Sequence, residues 1–337
     1  MSRAAPLLVV STGCPCGIGP EVSVAAAAKS KGAAIVLLGD EGTLRAAAEL
    51  RGVAQRRLVR WDGQARDTTK IHFAQVGEPL TERDRRPGKP NARAGLAQLE
   101  YVEAGFTLVK SSERAALVTG PVSKAAIAHC GLARARRFLG HTEWLQELDG
   151  AESSVMCFVS DELATSLVTT HVPIAKVPGQ IRAEGVEVAT VELARLLQKL
   201  GKKRPHLAIA SLNPHAGESE LLGGEEARAI APGIARAKKI LGRGAALTGP
   251  VGAETAYRKA VSGGFDGVVA MYHDQATIPM KLMAFGDAVN VTAGLSIVRT
   301  SVDHGTAYDI AWSGRADASG MRAALELAAR IVAGKRA

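Results

Sequence analysis

Aromatic residues are scarce in this sequence, at 4% of 337 residues, so a folded core must rest mainly on Ala, Val, Leu and Ile. No apolar run approaches the ~20 residues that a membrane-spanning helix needs, which argues against a membrane protein. The first apolar run, residues 6–10, leads into a glycine-rich turn without a signal-peptide cleavage site and therefore predicts a strand. We expect a cytoplasmic protein.

Cysteine is also rare, with four residues in the chain. Cys14 and Cys16 are separated by one residue, whereas zinc-binding pairs are separated by two to four, and no second pair follows. In a reducing compartment we expect four free thiols. Cys130 and Cys157 are expected to be small core residues.

Basic residues exceed acidic ones, with a net charge of 42 − 33 = +9. The excess is scattered along the chain and is not interleaved with aromatic residues, and no nucleic-acid-binding motif is present. The charge therefore predicts a solvated surface that attracts anionic substrates, without a nucleic-acid or membrane partner.

Short apolar runs alternate with amphipathic helical patterns, which is typical of an α/β protein with a helix-covered parallel sheet. The predicted strands include residues 34–39, 115–119, 206–212 and 267–272. After the first strand, glycines at 13, 17 and 19 form a turn before a helix, where backbone N–H groups could meet an anion. Their spacing is not that of a dinucleotide-binding fingerprint, and a simple tight turn explains them equally well.

Residues 271–306 carry an unusual number of polar side chains among apolar ones. Buried polar groups need partners, so this stretch predicts a ligand cleft. We expect a phosphate or carboxylate near Lys281 and Arg299, and a metal at His273. Lys124 stands at the start of another predicted helix, where it is either solvated or placed to meet an anion.

Three histidines, His171, His215 and His273, follow predicted strands. Strand ends of a parallel sheet share one edge, so the three imidazoles could converge on a divalent ion that keeps open positions. Each histidine taken alone would more often be structural, and it is their shared placement that favours a metal site. His141 and Thr142 follow a glycine in a turn that presents polar groups, although Thr142 could instead be a helix N-cap.

Seven segments together resemble the 4-hydroxythreonine-4-phosphate dehydrogenase family of pyridoxal phosphate biosynthesis. They occur in order across nearly the whole chain: GIGPE (17–21), GPVSK (120–124), GHTE (140–143), THVP (170–173), NPHAGE (213–218), YHDQ (272–275) and VNVTAGL…RTSVDHGTA (289–307). The resemblance implies an α/β, isocitrate/isopropylmalate dehydrogenase-like fold with two α/β/α subdomains around a cleft. Residues 1–120 with 276–337 would form the first, discontinuous subdomain. Residues 121–275 would form the second, with dimer contacts and the metal histidines.

The resemblance also implies a function. The substrate would be 4-phosphohydroxy-L-threonine, oxidised by NAD(P)⁺ with a divalent metal (Zn, Mg or Co) to a β-keto acid that decarboxylates to 3-amino-2-oxopropyl phosphate. His171, His215 and His273 would bind the metal and, with Lys281, take part in catalysis. The enzyme would be a homodimer with its active site at the subunit interface, one histidine coming from the neighbouring subunit. Substrate would be held by His141, Thr142, Lys281, Asn290 and Arg299. No coenzyme-binding residue is identified, nor is a base chosen between Asp303 and His304.

One departure from the family pattern leaves alternatives open. The first loop reads GCPCGIGPE where the family has GDPAGIGPE, so Cys14 replaces a carboxylate and Cys16 replaces an alanine. A small thiol could suffice structurally, or the substrate could have changed to threonate or erythronate 4-phosphate or a cis-dihydrodiol acid. A phosphotransacetylase-like acyl transferase would not need three metal-facing histidines. A binding protein without turnover is the remaining alternative.

Overall fold

The computed structural model describes residues 5–64, 66–284 and 286–334. Its strands are β1 (Leu7–Ser11), β2 (Ala34–Gly39), β3 (Leu58–Arg60), β4 (Ile71–Gln75), β5 (Ala115–Thr119), β6 (Val155–Val159), β7 (Ala164–Leu167), β8 (His206–Ala210), β9 (Ala246–Val251), β10 (Gly267–Ala270), β11 (Val289–Ala293) and β12 (Val298–Ser301). Its α-helices are α1 (Gly19–Lys29), α2 (Glu41–Leu50), α3 (Ala92–Lys110), α4 (Lys124–Ala128), α5 (His141–Asp149), α6 (Val177–Gln180), α7 (Ala183–Lys199), α8 (Ala231–Leu241), α9 (Ala253–Val261), α10 (His273–Met283) and α11 (Ser319–Ala333). None of these helices is both long and apolar enough to cross a membrane.

The described chain forms two compact units, residues 5–152 with 295–333 and residues 153–294. We call them unit 1 and unit 2. The first subdomain expected from the resemblance also combines early and late parts of the chain. Its bounds differ from those of unit 1, because residues 121–152 were expected in the second subdomain and residues 276–294 in the first. The expected first subdomain also includes residues that lie outside the described ones, namely 1–4, 65, 285 and 335–337.

Unit 1 is built on parallel strands in the order β3-β4-β2-β1-β5-β12. All five residues of β1 are buried, which suits a central strand covered by helices on both faces. The long helix α3 begins at Asn91, whose side chain accepts from the N–H of Ala94 at 2.9 Å. In α3, Gly95 packs against α4: a Cβ at this position would lie 2.0 Å from the carbonyl oxygen of Ala126. This glycine therefore lets α4 lie close to α3, and α4 begins at Lys124.

Unit 2 has the strand order β11-β6-β7-β10-β8-β9. Its β6 and β7 form an antiparallel hairpin, whereas β7, β10, β8 and β9 run parallel. An apolar cluster beside the sheet includes Phe158, Leu167, Val268 and Met280. Since β7, β8 and β10 are parallel neighbours, their carboxyl ends lie on one edge.

Candidate active site

His171 and His273 lie close together at the carboxyl edge of the unit 2 sheet. Beyond β7 the chain stays paired with the segment after β10, because the N–H of Thr169 donates to the carbonyl oxygen of Met271 at 3.2 Å. The Thr169 hydroxyl donates to the same oxygen at 2.8 Å. This pairing leaves the centroids of the two imidazole rings 5.6 Å apart. Both side chains are exposed, so their nitrogens are accessible to a ligand.

His273 is oriented by its neighbour in the sequence. Its Nδ1 donates to Oδ1 of Asp274 at 2.7 Å, which leaves Nε2 as the nitrogen available to a metal. A carboxylate on the far nitrogen of a histidine is the usual support for a metal ligand. Gln275 joins this helix start to the end of β8: its Oε1 accepts from the N–H of Met271 at 2.6 Å and its Nε2 donates to the carbonyl oxygen of Ser211 at 2.8 Å.

His215 lies in a sharply bent loop after β8. Its φ is 51°, and four other non-glycine residues of the loop also have positive φ: Ala216, Glu218, Ser219 and Glu220. Such conformations are unfavourable for L-residues and persist where the surroundings impose them.

The constraint on this loop comes from Glu226. Its Oε1 accepts from the N–H groups of Leu212 and Asn213 at 2.9 and 2.8 Å, and its Oε2 accepts from Nδ2 of Asn213 at 2.9 Å. Glu225 accepts a further bond from the same amide at 2.8 Å. The base of the loop is thus held by carboxylates while His215 is exposed beyond it.

The structure therefore brings two of the three predicted metal histidines together. Across the described ranges, no three His, Cys, Asp or Glu side chains are grouped so as to hold a metal ion. The convergence of all three histidines, which the resemblance expects to need a second subunit, stays a prediction.

Arg299 is a buried cation in unit 1. It lies on β12 and is 3% exposed. Its guanidinium donates twice to the hydroxyl of Thr119 on the paired strand β5, from Nε at 3.1 Å and from Nη2 at 2.7 Å. Burial lowers the pKa of Arg299 to about 10, and the carboxylate of Glu143 opposes that change. The guanidinium therefore remains charged at neutral pH and is held in one orientation.

His141 is a half-buried neutral imidazole at the start of α5. Its Nε2 is buried and has no hydrogen-bond partner in the described part of the chain. Burial, together with the charges of Arg299 and Lys124, holds the pKa of His141 well below its usual range. Gly140, and not Thr142, occupies the N-cap position and gives α5 no side-chain cap. The first N–H groups of α5, the His141 ring and Arg299 can thus act together as donors to an anion.

The other predicted substrate residues belong to unit 2. Lys281 is exposed in the last turn of α10. Asn290 lies on β11, and its Oδ1 is buried without a hydrogen-bond partner among the described residues. In unit 1, Asp303 and His304 are exposed in the loop after β12, where Nδ1 of His304 lies 3.0 Å from the carbonyl oxygen of Gly305. No contact distinguishes a base between those two.

The glycine-rich turn of unit 1 is tightly packed. A Cβ at Gly13 would lie 2.3 Å from the carbonyl oxygen of Pro121. Cys14 and Cys16 are both fully buried: Sγ of Cys14 is 3.4 Å from the Tyr308 hydroxyl, and Sγ of Cys16 donates to the carbonyl oxygen of Asp84 at 3.2 Å. The neighbouring thiol of Cys16 holds the pKa of Cys14 below its usual value. The four cysteines are free thiols, as predicted.

The sequence reasoning missed several supporting residues. Asp274 could have been noticed because it follows His273 directly. Thr119 and Glu226 carry no local signal, because each contacts its partner only after distant segments pair. Glu143 follows Gly140 by three residues, and its negative charge in the GHTE segment could have indicated it.

Comparison with known proteins identifies close relatives. A family model for the pyridoxal phosphate biosynthetic protein PdxA matches residues 31–328. A 4-hydroxythreonine-4-phosphate dehydrogenase from Geobacter metallireducens is 39% identical, with 98% of this chain and 97% of that protein covered. The crystal structure of a 4-hydroxythreonine-4-phosphate dehydrogenase from Klebsiella pneumoniae has a TM-score of 0.85 at 34% identity, over 97% of this chain and 100% of its own. A terephthalate 1,2-cis-dihydrodiol dehydrogenase from Burkholderia xenovorans LB400 has a TM-score of 0.71 at 30% identity, over 97% and 98%.

Proposed function

Because this chain belongs to the family of the pyridoxal phosphate biosynthetic protein PdxA, we propose that it oxidises 4-phosphohydroxy-L-threonine with a nicotinamide coenzyme. The alcohol gives up a hydride to NAD(P)⁺ and a proton to the medium, and the resulting β-keto acid loses CO₂ to give 3-amino-2-oxopropyl phosphate. The fold is the expected α/β, isocitrate/isopropylmalate dehydrogenase-like one. The observation that carries the proposal is the His171–His273 pair, 5.6 Å apart between ring centroids, in a chain of this family.

A divalent cation fits this pair of histidines. Asp274 holds Nδ1 of His273, so Nε2 is free to bind a metal, and His215 lies on a constrained loop that follows a neighbouring strand. We propose that His171, His215 and His273 hold the cation, one of them from the neighbouring subunit. Nitrogen ligands favour Zn²⁺ or Co²⁺ over Mg²⁺, which prefers oxygen. When bound, the cation would act as a Lewis acid toward the reacting hydroxyl and carbonyl oxygens.

The chain's own side chains supply the remaining recognition. In unit 1, Arg299 offers a charged and oriented fork, and His141 offers an unpartnered nitrogen beside the first N–H groups of α5. These groups suit the substrate's phosphate. In unit 2, Asn290 has an unpartnered buried oxygen, and Lys281 carries a positive charge. We assign both to substrate binding, with Lys281 also taking part in catalysis.

We propose that two copies of the chain associate through unit 2. Helix α10 exposes Ile278 and Leu282, one turn apart, at 58% and 81%. Strand β9 is at the end of the strand order and is only partly buried. Exposed apolar side chains and an unpaired strand edge are each typical of a surface that another chain covers. A homodimer would also provide the histidine expected from a neighbouring subunit.

A second candidate substrate follows from Cys14. This position lacks the carboxylate of the family pattern, and a cis-dihydrodiol dehydrogenase is among the structural relatives. Oxidation of a cis-dihydrodiol acid, or of threonate or erythronate 4-phosphate, is therefore the alternative. The packing of the Cys14 thiol against Tyr308 supports a structural role for this residue and so favours 4-phosphohydroxy-L-threonine.

A substrate panel tests the proposed function. With Zn²⁺ or Co²⁺ and either coenzyme, we expect 4-phosphohydroxy-L-threonine to give the largest kcat/KM, followed as absorbance of the reduced nicotinamide. The phosphate-free analogue should react at least 100-fold more slowly, since it lacks the charged group that is proposed to bind Arg299.

The same substrate panel is run on the variant Cys14→Asp, and the melting temperature of this variant is measured as well. If the wild-type chain oxidises only a dihydrodiol acid, and Cys14→Asp gains activity on 4-phosphohydroxy-L-threonine, then the alternative is correct. Formation of acyl phosphate from acyl-CoA without coenzyme reduction would instead indicate an acyl transferase.

A further inference from the structure

Lys124 lies beside the anion-binding groups of unit 1, although no role follows for it from the proposed function. It is the first residue of α4, and Gly140 is the N-cap of α5. A Cβ on Gly140 would lie 3.5 Å from Nζ of Lys124 and 2.9 Å from Oε2 of Glu143. Because Gly140 has no side chain, the Lys124 ammonium and the Glu143 carboxylate can both lie close to the start of α5, next to His141.

Two cationic side chains, Lys124 and Arg299, lie near His141. Lys124 makes no hydrogen bond or ion pair within the part of the chain that the structure describes. Lys124 and Arg299 both act electrostatically on His141, and Glu143 acts on Arg299. Two permanent positive charges thus act on one imidazole, whose Nε2 has no hydrogen-bond partner among the described residues. Like charges held close together favour binding of an anion.

We propose that Lys124 is a third anion-binding residue of unit 1 and that, with Arg299 and His141, it holds the dianionic phosphate of the substrate. This inference rests on the proposed function, since it assigns the phosphate to these groups. A single carboxylate would be satisfied by the bidentate fork of Arg299 alone. A phosphate monoester carries close to two negative charges and three acceptor oxygens, which match two cations and an imidazole donor.

Packing and capping of α4 fix the backbone position of Lys124. Ser123 caps α4 by accepting from the N–H of Ala126 at 3.2 Å, and its own N–H donates to Oε1 of the buried Gln98 at 2.7 Å. Gly95 lets the same helix pack on α3. The backbone that carries Lys124 is therefore fixed before any ligand binds, which reduces the entropy lost on binding.

Calorimetric titration with inorganic phosphate tests this assignment in the full chain. We expect Lys124→Met to raise the dissociation constant for phosphate about 10- to 100-fold, the usual loss for one charged hydrogen bond. Lys124→Arg should retain most of the affinity. Lys89→Met removes another exposed lysine of unit 1 and should leave the affinity unchanged. An affinity of Lys124→Met within twofold of wild type, or no phosphate binding by wild type, would overturn the inference.

The same variants separate this inference from the proposed function. In turnover assays, Lys124→Met should raise KM for the phosphorylated substrate by a similar factor while kcat changes less. If wild type binds phosphate through Lys124 but oxidises none of the panel substrates, the proposed function fails and the assignment of Lys124 stands. If wild type oxidises 4-phosphohydroxy-L-threonine and Lys124→Met binds phosphate normally, only the assignment of Lys124 fails.

Discussion

Arg299 illustrates how much of a site depends on residues that are distant in the sequence. Burying a charge is unfavourable unless hydrogen bonds and counter-charges compensate it. Here Thr119 accepts two hydrogen bonds from the guanidinium, and Glu143 contributes an opposite charge. The polar stretch at 271–306 was sufficient to predict Arg299 as an anion ligand. It could not indicate Thr119, which precedes Arg299 by 180 residues and meets it only because β5 and β12 pair.

His141 makes the stability of the fold depend on pH. Its pKa is held well below the ordinary value of about 6.5 by burial and by Arg299 and Lys124, with Glu143 nearby as the opposing charge. As the pH falls below 6.5, the unfolded chain gains a proton at His141 that the folded chain does not. This residue's stabilising contribution is therefore present above that pH and is lost as the medium becomes acidic.

The variant His141→Gln tests this pH dependence, because its side chain does not titrate. Between pH 7.5 and 5.5, the free energy of unfolding of wild type should fall by about 1 kcal/mol more than that of the variant, because one pKa unit corresponds to about 1.4 kcal/mol. Urea unfolding at both pH values measures this difference, and His206→Gln is the control. Equal losses in wild type and His141→Gln would show that His141 takes up protons equally in the folded and unfolded chains, which would contradict the lowered pKa.

At the scale of elements, buried strands were the most predictable feature. Residues 34–39 and 115–119 were predicted from apolar composition alone and are β2 and β5. Predicted ends were less accurate: β8 stops at Ala210, before the expected residue 212, although the N–H of Ser211 still donates to the carbonyl oxygen of Val251 on β9. The loop of His215 could not have been predicted, since non-glycine residues with positive φ carry no sequence signal.

Helix α10 shows a second limit of sequence patterns. Its polar residues led to the prediction of ligand binding, yet the helix also exposes the apolar side chains of Ile278 and Leu282. We expect sedimentation velocity to show a dimer of 35.1 kDa chains. Ile278→Glu with Leu282→Glu should weaken association at least 100-fold, because charges would be buried in an apolar contact.

The control for this dimer prediction is Ile240→Glu, which changes another exposed apolar residue of unit 2. It should leave the sedimentation coefficient unchanged. Wild type sedimenting as a single chain at micromolar concentration would contradict the proposed dimer, and so would a doubly substituted variant that remains a dimer.

At the scale of the whole molecule, the resemblance predicted a first subdomain that combines early and late parts of the chain, and its bounds stay a prediction. Among the described residues, unit 1 contains 5–152 and 295–333. Composition and periodicity alone indicated only an α/β protein. The division falls at 152/153 and 294/295, whereas the predicted bounds followed motifs. Motifs mark ligand-binding turns at strand ends, while the bounds of a unit depend on how whole helices pack, as α5 does on α3 in unit 1.

The histidines at one edge of unit 2 are the basis of the proposed chemistry, and their metal content is the most direct measurement. After reconstitution with Zn²⁺ or Co²⁺ and dialysis, wild type and His206→Ala should retain about one metal ion per chain by elemental analysis and should oxidise 4-phosphohydroxy-L-threonine. His171→Ala, His215→Ala and His273→Ala should each lose the metal and at least 100-fold in turnover. Full metal content and full activity in His273→Ala would contradict the account.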